Sequence, residues 1–205
     1  MTVVSSLEGN QPLPAVTSIF SALRAVRGNV RRDFDFHGVV ALQTGLVDPR
    51  RSAAELIAAD AGLESWVAGW TPASVAGTPL MCGGREMNAG IAAVEWLSEQ
   101  PWGIASVDLS AFQPNQDALR EAVRASVRAA EIDLRGQKPA AGIIVMSAKR
   151  GAIPSAAARD AFLGAAGGLP KIPLLGLPAK SAFARAHNSA LAISEDSVTC
   201  LLVPE

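Results

Sequence analysis

The chain has 205 residues, 49% of them hydrophobic, enough for one core of good size or at most one domain with a small appendage. Its 18 Lys and Arg nearly balance 19 Asp and Glu, and a net charge of -1 argues against nucleic acid as the main partner, because phosphate binding draws on concentrated positive charge. Charged residues are only 18%, a supply low enough to favour a homo- or hetero-oligomer that hides part of its surface.

In chain order, residues 1–14 read as a flexible, polar, proline-containing lead-in. Val16, Ile19, Phe20, Leu23 and Val26 recur at helical spacing and predict a helix over 15–27, ended by Gly28-Asn29. The Val/Leu run FHGVVALQT predicts a strand over 36–44. Ser52 with Glu55 forms a capping box, so a helix is expected from there to Gly62. A short strand is expected over 65–70 and a long loop over 71–84. Met87, Ile91, Val94 and Leu97 predict a helix over 85–99, closed by Pro101.

GIASVDL (103–109) reads as a strand, and 114–132 is the clearest helix, with Leu119, Val123, Val127 and Ala130 on one face. Residues 142–147 are nearly all apolar and predict a central strand. An Ala-rich helix (155–166), a strand (172–177), one or two helical turns (180–186) and a hairpin of 189–194 with 198–203 complete the chain. This alternation predicts an α/β fold: a mixed, mostly parallel sheet flanked by helices, with a C-terminal hairpin, in a single domain spanning 1–205. No linker divides it, and no short tandem repeat stands out.

The two cysteines, Cys82 and Cys200, form no CxxC pair or Cys/His cluster, so no structural metal and no cofactor is implied. MTVVSSLEGNQPLP lacks the basic start and apolar stretch of a secretory signal, and no run approaches the ~18 apolar residues of a membrane helix. A cytoplasmic protein with reduced thiols and no membrane partner is the expectation.

In α/β sheets ligands sit beyond the carboxyl ends of the strands. The loop after strand 142–147 carries Lys149, Arg150 and Gly151 ahead of an expected helix start, a combination that suits an anion; solvated loop charges are the plainer alternative. A small anionic ligand between this loop and residues 177–188 would meet Ser147, Lys149, Arg150, Lys180 and Ser181. His187 and Asn188 can polarise a carbonyl or act as acid/base and orienter, or simply sit at a strand start. Cys82, just before the helix expected over 85–99, is the best candidate nucleophile, since a helix N-terminus lowers a thiol pKa; an inert core thiol is the alternative. Cys200 reads as core, His37 as a histidine entering a strand, and Asp108 as a strand-end carboxylate. Arg120, Arg124 and Arg128 share a helical face with Asp117 and Glu121 and read as solvated surface.

Two family resemblances follow from these segments. Residues 90–108, 117–151 (DALREAVRASVRAAEIDLRGQKPAAGIIVMSAKRG) and 172–187 (IPLLGLPAKSAFARAH) resemble the thiolase-like superfamily, especially β-ketoacyl synthases. That resemblance implies acyl transfer, with Cys82 as nucleophile and His187 and Asn188 at the carbonyl. The turn carries Ser147-Ala148-Lys149 where that family has a histidine, which implies a shortened, non-catalytic or accessory subunit of acyl-chain synthesis, partnered by another chain or an acyl carrier. PAAGIIVMSAKRG, LPKIPLLGLPA and HNSALAI are also similar to the FIST sensory family, which implies a small-ligand sensory or binding module without catalysis.

Overall fold

The computed structural model describes residues 2–8, 34–44, 58, 65–72, 80–82, 85–87, 90–109, 116–147, 171–186 and 189–205. Eleven strands lie among them: β1 (Thr2–Glu8), β2 (Phe36–Thr44), β3 (Trp66–Pro72), β4 (Leu80–Cys82), β5 (Arg85–Met87), β6 (Gly90–Ser98), β7 (Gly103–Asp108), β8 (Pro139–Ser147), β9 (Leu174–Arg185), β10 (Ala192–Ser194) and β11 (Ser197–Pro204). The fully described helix is α1 (Gln116–Asp133). The helices predicted over 15–27 and 155–166 fall outside the described residues, as does that over 52–62 apart from Ala58, which is helical and buried.

The main sheet runs β1-β6-β2-β3-β9-β8-β11-β7, with β10 added to β9. Only β2–β3 and β8–β9 are parallel ladders; the others described are antiparallel. This corrects the mostly parallel α/β expectation: among the described residues the protein is mostly β, around a mixed, mainly antiparallel sheet. The largest source of the difference is residues 85–99, strands β5 and β6 in place of a helix. β6 lies between β1 and β2, where a strand paired on both sides reads as the continuous apolar run Ile91-Ala-Ala-Val94, and such a run does not distinguish helix from strand. The lead-in contributes β1, and the helical turns at 180–186 are the second half of β9, where Ser181, Phe183 and Arg185 alternate with Ala182 and Ala184 and all five are buried. The C-terminal hairpin is also replaced: β10 pairs with β9, and β11 inserts between β8 and β7.

One face of β7, β8 and β11 is covered by α1. Leu119, Val123, Val127, Ala130 and Leu134 pack on Ile144, Met146, Val198, Cys200 and Leu202. The outward face of α1 carries Arg120–Asp117 (3.0 Å), Arg124–Glu121 (3.6 Å) and Arg128–Glu121 (3.6 Å), so these arginines form a solvated, ion-paired surface. The helix ends in left-handed backbone at Arg135 (φ 53°) and Gly136 (φ 89°).

The opposite face is concave and rolls its diagonal corners together. Trp66 and Ala68 of β3 pack with Ile104 of β7, four strands away, with Trp102 just before it, and with Ala184 and Leu201. Trp66 and Trp102 stack at 4.7 Å and 16°, and Trp96 leans on Trp102 at 5.3 Å. The Arg135 guanidinium lies 5.5 Å over the Phe36 ring at the same corner. Trp66 takes this position by lying across Gly38, its register partner in β2; a Cβ at Gly38 would occupy the indole's space. A second concave cluster joins Trp70, Val145, Ala179 and Ala182, flanked by Leu42 and Leu177.

Candidate functional site at a convergence of strand ends

One line across the sheet collects the ends of five strands. Followed through register partners, Glu8 meets Gly90, Gly90 meets Thr44, Pro72 meets Ala179, Ala179 meets Ser147, Ser147 meets Ser197, and Ser197 meets Asp108. The β2–β3 ladder, in register through Leu42 and Trp70, directs Thr44 and Pro72 to the same line. Glu8, Thr44, Pro72, Asp108 and Ser147 are the last residues of β1, β2, β3, β7 and β8, whereas β6 and β11 begin there, at Gly90 and Ser197. Five of the described strands therefore have their carboxyl ends on this one line.

Among the described strands only β9 passes through this line, and it is irregular there. The β3–β9 register shifts between Thr71 and Pro72: Thr71 pairs with Ser181 and Pro72 with Ala179, which leaves Lys180 as an extra residue. Pro72 has no N–H to donate, so the ladder breaks at this point, and a bulge re-aims the side chains beside it. Lys180 is exposed, while Ser181 is buried and donates its hydroxyl to Thr71 Oγ1 at 3.1 Å. One step across, Ser147 is buried: its Oγ lies 3.1 Å from Ser197 Oγ, accepts the Ser197 N–H at 3.2 Å, and reaches the Ser194 carbonyl at 3.5 Å. The fold thus brings Ser147, Lys180 and Ser181 to one place, with Lys180 presented to solvent and the two serines fastening the strands around it. Lys149 and Arg150, which follow Ser147 in the sequence, lie outside the described residues, as do His187 and Asn188.

Cys82 ends β4 and pairs with Arg85 of β5 in a separate two-stranded sheet, so the helix start expected to activate its thiol is replaced by a hairpin. Cys200 is fully buried beneath α1; burial, with a smaller contribution from Glu131, pushes its thiol pKa far up. His37 is buried within β2. Asp108 is exposed at the end of the line.

Two polar features have no signature in the local sequence pattern. Arg185 is buried at the end of β9 and donates from Nη1 to the Ala58 carbonyl (2.8 Å) and from Nη2 to the Ser65 carbonyl (3.2 Å), fastening β9 to the β2–β3 connection; burial lowers its pKa. The bulge at Lys180 is the other, and its one sequence signal is Pro72, which no reading of β9 alone includes. Among the described residues no three His, Cys, Asp or Glu side chains form a metal-binding group, and no helix is long and apolar enough to cross a membrane.

No protein-family profile matches the chain, and no curated protein matches it. The thiolase-like expectation is corrected by the fold: a mostly antiparallel sheet with one fully described helix does not fit that superfamily's α/β layers, and the acyl-transfer roles implied for Cys82, His187 and Asn188 lose their basis with it.

Proposed function

We propose that the protein is a small-ligand binding or sensory module whose ligand, a small anion, docks along the line where β1, β2, β3, β7 and β8 end. The observation that carries this reading is the β9 bulge, which turns Lys180 out to solvent at the point where five strand ends converge. The two buried hydroxyl pairs, Thr71–Ser181 and Ser147–Ser197, support it by holding the strands beside that lysine in fixed register. Lys149 and Arg150, two and three residues past the end of β8, add cationic groups to the segment leaving the same line. Sensing without catalysis is also what the resemblance to the FIST family implies.

The test is a thermal-shift series with phosphate, acetate, citrate and glutamate at matched ionic strength. A ligand at about 100 times its Kd stabilises the fold by about 2.7 kcal/mol. For 205 residues at ~2.1 cal/mol/K of unfolding entropy each, that raises Tm by about 6 °C. Lys180→Ala is expected to leave the unliganded Tm in place and reduce the shift. Absence of a shift with every anion, or an undiminished shift in Lys180→Ala, overturns the proposal.

A further inference from the structure

The strand order reads the same from both ends. In the first half β1 pairs antiparallel with β6, β6 antiparallel with β2, and β2 parallel with β3. In the second half β7 pairs antiparallel with β11, β11 antiparallel with β8, and β8 parallel with β9. The halves join through β3 and β9, which are antiparallel, the relation a two-fold axis normal to the sheet requires of strands that it exchanges. Chain order agrees throughout: β1, β2, β3 and β6 take the places of β7, β8, β9 and β11. Each half also has an extra strand element between its third and last members, β4–β5 in one and β10 in the other.

The axis can be located. Pro72 pairs with Ala179, and to either side of them lie Thr44, Gly90 and Glu8 in one direction and Ser147, Ser197 and Asp108 in the other. Each member of the first set occupies the strand place of its counterpart in the second. Side chains agree with this: Leu42 and Trp70, register partners in the first half, meet Val145 and Leu177, register partners in the second, in one concave cluster.

We infer that residues 2–98 and 103–204 are two copies of one structural unit, and that the β3–β9 seam, with the concave apolar face, is an interface whose natural partner is a second such unit. The chain is the covalent form of a symmetric dimer. The α1 core lies wholly within the second unit, whereas both concave clusters draw residues from both units, as an interface between them does. The joint between units is four residues, Glu99 to Trp102, and the two-fold sets Pro204 and Thr2 as near to one another as Ser98 and Gly103.

Circular permutation of the full chain tests it. In one permutant a four-residue linker joins Glu205 to Met1 and new ends are opened between Ser98 and Gly103, which leaves both units whole. In the other the same linker is used and the ends are opened at Gly136, which separates α1 from β8 inside the second unit. The first is expected to keep the parent's oligomeric state and far-UV circular dichroism, with a Tm within about 5 °C of the parent's, roughly 2 kcal/mol at this chain length. The second is expected to melt at a clearly lower temperature. Equal stability of the two, a higher Tm for the Gly136 permutant, or failure of the first to fold overturns the inference.

Discussion

Trp102→Ala tests how the sheet is held in its rolled form. Trp102 is 8% exposed, stacks on Trp66 at 4.7 Å and supports Trp96 at 5.3 Å, so its loss removes the central ring of three where the two diagonal corners meet. Truncating a buried Trp to Ala typically costs about 3–5 kcal/mol, through lost transfer energy and the cavity left behind. At ~2.1 cal/mol/K of unfolding entropy per residue over 205 residues, a loss of about 4 kcal/mol lowers Tm by about 9 °C. Trp102→Phe keeps a ring in the stack and is expected to cost less than half as much. Urea unfolding followed by far-UV circular dichroism reads both values. A loss below about 1 kcal/mol for Trp102→Ala, the range of an ordinary surface change, would refute closure of the sheet through this contact.

Ser147 and Ser197 are expected to be coupled: Ser147→Ala leaves the buried Ser197 N–H without its acceptor and costs about 1–3 kcal/mol, whereas the double change to alanine costs less than the sum of the singles by at least ~0.5 kcal/mol. Additive losses in a denaturant cycle would contradict the shared hydrogen bonds. Cys200 is expected to resist iodoacetamide at neutral pH until the protein is unfolded, because burial raises its thiol pKa. The sign of its pH effect follows: with the folded pKa above the ordinary value of 9.0, its contribution to stability is intact below that pH and is lost as pH rises beyond it. Cys200→Ala should therefore flatten the alkaline limb of the stability profile, and an unchanged slope would count against the assignment.

Segments with a single strong period were legible in the sequence. The 3.6-residue stripe of Leu119, Val123, Val127 and Ala130 indicates α1, and the β-branched runs at 36–44 and 142–147 indicate β2 and β8. Ala-rich segments were not legible. Residues 90–98 and 180–185 have helix-favouring composition, yet ladders on both sides fix them as strands, so long-range pairing outweighs local preference. The candidate site was legible in part. Ser147, Lys180 and Ser181 lie near one another across the β8–β9 ladder, but this convergence depends on the β3–β9 register, and the bulge is set by Pro72 more than a hundred residues from Lys180. The two-fold relation left little imprint because it resides in ladder order rather than in matched residues.

The insertion of β11 between β7 and β8 has a consequence for how the protein is made. β7 and β8 follow one another through α1, yet they never pair, and a gap one strand wide stays between them until Ser197–Pro204 have been synthesised. During that interval two strand edges and the apolar stripe of α1 are open to other chains. The same gap between β1 and β2 is filled by β6 about a hundred residues earlier in synthesis. A nascent chain therefore passes twice through a state that favours association with its neighbours, and the second passage, which exposes Val198's and Cys200's future partners Met146 and Ile144, is the one in which a chaperone would do most to raise the yield.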